Sequence, residues 1–484
     1  MKVNRELTAI ARTELSRPFQ LAIEHRVISK KTRILDYGCG RGFDVDKLRA
    51  SGWSTFGWDP AHRTATKKTK SDVVTFNYVL NVIEDQKERV TTLKAAFELA
   101  KSCLIVSARL DFERDEAHIR PFADGWLTSR NTFQKFYTQD ELQEFLFTNL
   151  NIEPQAAAPG IFYVFRTKVD LERFRSSKYR IRTPKSWIRK SDALYKEHFQ
   201  TLEPLIDFVH EHGRIPKTLE LPDSEQLLEK FGSLKMAFRV VQNVTDSQEW
   251  KNVSQRCKIS LLVTLAMRKF EGDYRFSDLD YSLQNDVKSF YGSLKKASLL
   301  ADKLLFAVGK MDAINIASRS STVGKLTPTA LYIHVNYLHR VPALLQIYEA
   351  CARRITGDIP AANIIKFHRD VAMISYLSYP DFWNDPHPPL DTSYAVSLSE
   401  MRMKVTKYSQ RTNPPILHRK ETFLHESDPN WEQFRNLSLE ETKNGLYENT
   451  TIIGTKLNWE SLLNDKGYLI HGHKLRQRDE LDRT

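Results

Sequence analysis

The stretch Arg-Ile-Leu-Asp-Tyr-Gly-Cys-Gly-Arg-Gly at residues 33–42 constrains this chain more than any other. A short apolar strand at Ile34 and Leu35 runs into Asp36, then into glycines at 38, 40 and 42, and residues 43–50 follow with helical spacing. Glycine is needed where the backbone turns sharply and a ligand must approach without a Cβ in the way. The helix after such a turn directs its partly positive N-terminus at that ligand. A glycine-rich turn alone is also met as a tight structural turn. Here the context narrows the choice. Residues 53–59 read as a second short strand ending in Gly57-Trp58-Asp59-Pro60, which places an acid where a ribose diol would lie. Residues 72–78 read as a third strand, so the start of the chain is the front of a nucleotide-binding βα unit.

The Asp-x-Gly-x-Gly-x-Gly pattern resembles class I S-adenosylmethionine methyltransferases more than dehydrogenases, whose first turn ordinarily lacks the leading acid. The resemblance implies that Asp36 lies beside the methionine end of the cofactor. It implies that the backbone of Gly38, Cys39, Gly40 and Gly42 passes under ribose and methionine, and that Asp59, followed by Pro60, accepts from the ribose hydroxyls. The segment 73–82, Val-Val-Thr-Phe-Asn-Tyr-Val-Leu-Asn-Val, matches the strand that closes the pocket in that family and brings Asn77 to it.

Along the chain, residues 1–30 read as one or two helices around Ser16-Arg17-Pro18; Arg17 is either a contact to the methionine carboxylate or a solvated surface arginine. Residues 84–101 have helical composition, with Glu84 and Asp85 at the helix start, and 103–107 read as an apolar strand. Residues 140–150 read as a helix with Thr138 as N-cap, and 161–166 as a strand after a turn at 156–160. Alternating strands and helices over residues 1–165 predict a Rossmann-like α/β domain with a parallel sheet covered on both faces. Only a short stretch separates Asp59 from Asp72, so the usual helix, strand and acidic adenine contact between them are shortened or absent.

Residues 166–190 form a basic linker in which Arg173, Arg175, Lys178, Arg180 and Arg182 are interleaved with Tyr179 and Trp187. Such a mixture neutralises phosphates and stacks on bases, or else is a solvated charged helix. Residues 191–325 read as a mainly helical region. Within it Phe231-Gly232-Ser233-Leu234-Lys235 recurs as Tyr291-Gly292-Ser293-Leu294-Lys295, each copy preceded by a helix-like segment, so serine reads as the N-cap of a following helix. The copies resemble the small helical repeats associated with homing endonucleases, which would place Lys235 and Lys295 at nucleic acid. Two stable helical hairpins without a ligand account for the pattern equally well. Residues 326–484 read as a mixed α+β region of unassigned role. In it, 331–354 and 361–378 have helical patterns, 379–390 is a proline-rich loop, Asn413-Pro414-Pro415-Ile416 begins the most distinctive string, and 459–465 and 468–474 close as helix and strand.

The chain has 484 residues, 41% of them apolar and 27% charged, and a formal charge of +12, which leans towards polyanionic partners or serves solubility. Its four cysteines are scattered without a Cys-x-x-Cys pair, which argues against a zinc site or a disulfide framework and for a reducing, cytoplasmic compartment. No uninterrupted apolar stretch is long enough to span a membrane, and the first residues lack the apolar run of a signal peptide. The histidines, among them His368, His387, His418, His471 and His473, lack partners at metal-ligand spacing, so no metal is expected.

Methyl transfer is an in-line displacement in which the protein positions donor and acceptor and removes a proton where the acceptor requires it. Base-amine methyltransferases resemble one another in an Asn/Asp-Pro-Pro-aromatic loop after the pocket-closing strand. That position is Asn77-Tyr78-Val79-Leu80 here, without prolines, so Asn77 and Tyr78 are the candidates for orienting an acceptor. Cytosine-C5 chemistry needs a nucleophilic cysteine, usually after proline, and neither Cys39 nor Cys103 fits. Taken together, Ser16-Arg17-Pro18, residues 36–42 with Asp44, Gly57-Trp58-Asp59-Pro60, residues 78–85, Ser107-Ala108-Arg109 and residues 413–421 are similar to the bacterial DNA phosphorothioation-associated methyltransferase family. The resemblance implies a cytosolic accessory of a DNA sulfur-modification and defence system, with DNA or another nucleic acid as partner and S-adenosylmethionine as cofactor. Two functions are consistent with it. One is a methyltransferase acting on nucleic acid, and the other a non-catalytic protein that senses S-adenosylmethionine or binds DNA or a partner.

Overall fold

The structure is a computed structural model that describes residues 3–9, 12–115, 119–178, 198–222 and 224–478. Near the N-terminus a 3-10 turn, Arg5–Thr8, precedes α1 (Arg17–Glu24). The chain then builds β1 (Ile34–Tyr37), α2 (Phe43–Ala50), β2 (Thr55–Trp58), β3 (Ser71–Asn77), α3 (Gln86–Leu99) and β4 (Ala100–Ser107). A small three-stranded sheet follows, β5 (Ile119–Phe122), β6 (Gly125–Thr128) and β7 (Phe133–Gln134). Then come α4 (Gln139–Leu150), β8 (Gln155–Ala158) and β9 (Ile161–Phe165).

The first sheet has six strands in the order β2-β1-β3-β4-β9-β8. Strands β2, β1, β3 and β4 are parallel, as expected, whereas β9 runs antiparallel between β4 and β8, so the sheet is mixed. The segment 156–160, expected as a turn, is largely strand β8. Alternating side chains feed two cores. Leu35, Val74, Phe76, Leu104 and Val106 pack against Leu93 and Phe97 of α3 and Leu142 and Leu146 of α4. Ile34, Val73, Cys103 and Ile105 pack against Phe19 and Leu21 of α1 and Leu48 of α2. The helix starts follow local chemistry: Asp85 Oδ1 accepts from Glu88 N at 2.7 Å, and Thr138 Oγ1 accepts from Glu141 N at 3.2 Å in a capping box. Between β2 and β3 there is no helix, in keeping with the short interval seen in the sequence.

The expected linker begins as α5 (Lys168–Lys178), packed on β9 through Phe174. Beyond it lie α6 (Phe199–His212), α7 (Ser224–Phe231), α8 (Leu234–Val244), α9 (Ser247–Arg268), α10 (Tyr281–Tyr291), α11 (Leu294–Val308) and α12 (Met311–Arg319). The repeat is real in three dimensions. Ser233 caps α8, accepting from Met236 N, and Ser293 caps α11, accepting from Lys296 N. Each copy also has a 3-10 turn before the helix that leads into its glycine, Thr218–Glu220 and Phe276–Asp278. Arg214 locks the copies together, holding Glu220 through both ends of its guanidinium and donating from Nε to Asp286 Oδ1 at 2.6 Å. Burial would raise Glu220, but the Arg214 fork brings its pKa down to about 2.

The rest is a second six-stranded sheet, antiparallel throughout, in chain order β10 (Lys325–Leu326), β11 (Ala330–His334), β12 (Ile364–His368), β13 (Met373–Ser378), β14 (Thr392–Ser397) and β15 (Arg402–Lys407). Helix α13 (Ala343–Thr356) packs on one face through Leu345, Tyr348 and Ile355. The helical expectation for 361–378 is therefore corrected to the β12–β13 hairpin, and that for 331–354 holds only for its second half. The apolar residues of 361–378 are buried on both sides of the sheet and show no clean alternation, which left their period ambiguous. Helices α14 (Trp431–Lys443) and α15 (Lys456–Asp465) and the hairpin β16 (Tyr468–His471) and β17 (Lys474–Gln477) complete the chain.

The two sheets meet where Phe112 packs edge-on against Tyr394 of β14 and Met403 of β15 reaches the first core, and again at the end of α13. Gly357, just past α13, has φ +71°, and a Cβ there would run into the backbone of Ala157 and Ala158 on β8. Asp358 N donates to Ala157 O at 2.8 Å, Gln139 Nε2 to Ile355 O at 3.2 Å, and His25 bridges Tyr163 and Asp358.

A candidate cofactor pocket at the strand ends

A cavity of about 280 Å³ opens at the C-terminal ends of β1, β2 and β3, lined by Asp36, the glycine turn, Asp59, Asn77 and Tyr78, and on the outside by Thr8, Ala9 and Arg12. The glycine turn is pinned to β2, since Gly38 N and Cys39 N both donate to Trp58 O, at 2.8 and 3.1 Å. Gly38 has φ +85° and a Cβ there would run into Val79, so its glycine serves the packing of the loop after β3 as well as ligand approach.

Asp36 is 5% exposed and accepts from Thr75 Oγ1 at 2.6 Å. Burial raises its pKa to about 7, opposed by the threonine bond. Asp59 takes three backbone amides, Gly40 N on Oδ2 at 3.0 Å and Ala61 N and His62 N on Oδ1 at 2.9 Å. Those bonds fix the carboxylate at the cavity and tie the glycine turn to the end of β2; Pro60 lies on the cavity wall beside it. The Cys39 thiol is pushed up to about 12 by burial and by the Asp36 and Asp59 charges, so it stays protonated and is no nucleophile.

Asn77 and Tyr78 close the far side. Asn77 Oδ1 accepts from Ser107 Oγ at 3.3 Å, while its Nδ2 is buried with no hydrogen-bond partner among the described residues. A donor left unpaired in the wall of a cavity costs about 1–3 kcal/mol unless a ligand meets it. Tyr78 adopts φ +59°, unusual for an aromatic residue, and its N–H donates to Ser107 O at 2.9 Å. Burial raises its hydroxyl pKa, so the phenol is protonated, and the Arg12 guanidinium lies 5.5 Å from the ring centroid. Behind them Asn81 accepts from Arg109 N at 2.9 Å and holds the strand 4 exit in place.

The N-terminal segment reaches the cavity through residues the sequence did not single out. Arg5 grips Glu88 with two bonds of 2.6 Å and Glu84 with one of 2.7 Å, and His62 Nε2 meets Glu6 O at 3.1 Å. These contacts bring Thr8, Ala9 and Arg12 to the cavity. An irregular segment without an apolar period leaves no signal beyond its charges. Arg17 instead pairs with Glu24 and Gln20 and does not line the cavity. Ser16 N donates to Asp44 Oδ1 at 2.8 Å, joining the start of α1 to α2.

The residues expected at nucleic acid divide. Arg173 is exposed, and Lys235 and Lys295 are exposed in the first turns of α8 and α11. Arg175 and Lys178 are corrected to interior roles. Arg175 is 8% exposed, near Glu172 and Gln155. Lys178 Nζ donates to Ala156 O at 2.8 Å, and burial lowers its pKa to about 8. Both are consumed in fastening α5 to β8. Arg180 and Arg182 lie outside the described residues. Among the described residues no cluster of side chains could hold a metal ion, and no helix is long and apolar enough to cross a membrane. The Asn413-Pro414-Pro415-Ile416 string does not line the cavity; it pairs through Pro415 with Thr455 and through Ile416 with Pro389.

The family model described as a methyltransferase domain matches residues 7–153. No curated protein matches the chain. Among solved structures, the chain is similar to the 1,6-didemethyltoxoflavin-N1-methyltransferase of Burkholderia thailandensis with bound S-adenosylhomocysteine, at 16% identity, 31% of this chain, 77% of that chain and a TM-score of 0.25. It is similar to the sugar N-methyltransferase KedS8 of a Streptoalloteichus species, at 13% identity, 31% of this chain, 86% of that chain and a TM-score of 0.25. It is similar also to the magnesium protoporphyrin IX methyltransferase of Synechocystis with bound S-adenosylhomocysteine, at 13% identity, 34% of this chain, 94% of that chain and a TM-score of 0.24. The match to a methyltransferase domain thus falls on the residues that build the first sheet and line the cavity.

Proposed function

We propose that the protein transfers a methyl group from S-adenosylmethionine to nucleic acid, as an accessory of a bacterial DNA phosphorothioation system. The observation that carries the catalytic half is the buried, unpartnered Nδ2 of Asn77 in the wall of the cavity that Asp36, Asp59 and the glycine turn also line. S-adenosylmethionine would supply an electrophilic methyl group on sulfur. Asp36, the backbone of Gly38, Cys39, Gly40 and Gly42, Asp59 with Pro60, and Asn77 are the residues that would hold it. Tyr78, with its strained backbone and protonated hydroxyl, orients the acceptor at the outer side, and positioning is the main contribution such a reaction asks of the protein. None of Cys39, Cys103 or Tyr78 is poised as a nucleophile, because burial raises each, which fits direct transfer.

The nucleic-acid half rests on the net charge, on the exposed Arg173, Lys235 and Lys295, and on the sequence resemblance. A second reading, a non-catalytic sensor of S-adenosylmethionine, is favoured by the missing prolines after Asn77. Calorimetric titration of S-adenosylhomocysteine, with Asp36→Ala and Asp59→Ala, followed by labelled-methyl transfer to DNA and RNA, separates the two. Binding lost in both variants together with transfer to nucleic acid supports catalysis. Cofactor binding without transfer to any acceptor leaves the sensor.

A further inference from the structure

The second sheet carries a row of side chains that the cofactor pocket does not use. Cross-strand register aligns Lys325, Tyr332, Lys366, Ser375, Ala395 and Lys404, one from each of β10 to β15. Partners in register project to the same face. At about 4.8 Å per strand the row is roughly 24 Å long. Cations stand near its ends and middle, and small residues, Ser375 and Ala395, leave the floor between Lys366 and Lys404 low. The flanking registers on this face add His368 and Arg402, the latter paired with Asp140 of α4 at 3.8 Å.

The opposite face is filled by α13, whereas this one is covered only in part: Lys404 is exposed, Lys366, Tyr332 and Ala395 are half-buried, and Ser375 is buried beside His368. Neither Lys366 nor Lys404 has an ion-pair partner among the described residues. The Tyr332 ring is the one aromatic group of the row; Lys366 Nζ lies 5.3 Å from its centroid, and Phe423 meets it edge-on at 6.3 Å. Phe423 belongs to the turn Lys420–Phe423, which walls the β11 end. Glu421 of that turn is within electrostatic reach of Lys325, but its carboxylate is held by Ser438 at 2.8 Å.

We propose that this face binds single-stranded nucleic acid, its backbone crossing the strands over Lys366 and Lys404 and a base stacking at Tyr332; the proposal rests on the nucleic-acid reading given above. Cations spaced along a low floor track phosphates, and an aromatic platform accepts any base. The strip would give residues 326–484 the task of holding the polymer whose bases the pocket methylates. An acidic protein would use the cations without the ring.

The test is fluorescence anisotropy of a labelled single-stranded DNA of about 20 nucleotides on the full chain, with S-adenosylhomocysteine present and salt varied from about 50 to 200 mM. Lys366→Glu/Lys404→Glu is expected to weaken binding about tenfold or more at the lower salt. It should also make the salt dependence shallower by roughly 1.4 in log–log slope, with S-adenosylhomocysteine affinity unchanged. Lys366→Arg/Lys404→Arg should retain affinity, and Tyr332→Leu should weaken it without altering the slope. Lys404→Glu alone, at an exposed position, should reproduce about half the loss of slope if the double variant folds poorly. Equal affinity of the wild type and Lys366→Glu/Lys404→Glu would overturn the sheet assignment alone and leave the lysines as a solvated charged face. So would a loss confined to Arg173→Glu/Lys235→Glu/Lys295→Glu. A wild type that takes up S-adenosylhomocysteine but no oligonucleotide, or one displaced only by an acidic polypeptide, would overturn both this and the nucleic-acid reading.

Discussion

The two six-stranded sheets place chemistry in opposite ways. In the first, parallel β1, β2 and β3 end on one side, so Asp36, Asp59 and Asn77 meet at strand ends although each comes from a different βα unit. Both faces of that sheet are buried under helices, and only its C-terminal rim is available. In the second, antiparallel strands bring α13 to one face and leave part of the other accessible, so functional groups line up across strands rather than at their ends. A parallel sheet offers a point, and a half-covered antiparallel sheet offers a surface. Small cofactors suit the first, and polymers suit the second.

That contrast is most sharply broken at the joint between the sheets. Gly357→Ala places a methyl group against Ala157 and Ala158 at φ +71°, and a loss of about 3 kcal/mol in denaturant unfolding is expected. Gly52→Ala is the control. It has φ +81° but nothing within 4 Å, so it should cost only the backbone term of about 1 kcal/mol. Equal losses in the two variants would mean that the joint carries no packing load.

A smaller effect sharpens the C-terminal side. Lys420 is 2% exposed, and its ammonium donates to Phe382 O at 2.7 Å and Asp385 O at 2.6 Å and faces His473 Nε2 at 3.1 Å. Burial lowers its pKa from 10.5 to about 7. Between those values the unfolded chain binds a proton that the folded chain does not, so this group makes stability rise with pH from about 7 towards 10.5. Lys420→Met should abolish that slope in unfolding curves taken at several pH values, and lower stability near neutrality by about 2 kcal/mol through its orphaned carbonyls.

The smallest effect belongs to the pocket. With the Asp36 pKa near 7, a cofactor ammonium favours the carboxylate, so S-adenosylhomocysteine affinity should rise about tenfold from pH 6 to pH 8. Asp36→Asn should flatten that dependence when followed by calorimetry. A profile unchanged by the substitution would remove Asp36 from contact with the charged end of the ligand.

The same contrast explains what the sequence could reveal. Asp36, the glycines and Asp59 were legible because strand, turn and helix are contiguous, and each residue type answers a local geometric demand. The Ser233 and Ser293 caps were legible for the same reason. Residues 361–378 read as helix because strands buried on both faces lose the alternation that marks a strand. The row from Lys325 to Lys404 spans strands far apart in the chain, and no spacing announces a register. Arg175 and Lys178 looked like partners for phosphate because charge was visible and their burial beneath β8 was not. Arg12 reached the pocket through Arg5 and its two glutamates, contacts that no periodicity encodes.

Strand β8 ends the first sheet, and its outer side would present free amides and carbonyls to solvent were it not for Asp358, whose N–H is bonded to Ala157 O. Its Ala156-Ala157-Ala158 run is short-chained and uncharged, bounded by Pro154 and Pro159. Asp358 of the C-terminal region and Lys178 of α5 thus both cover this edge. Cutting the chain after residue 165 removes both covers, so the first domain alone is expected to self-associate more than the whole chain does.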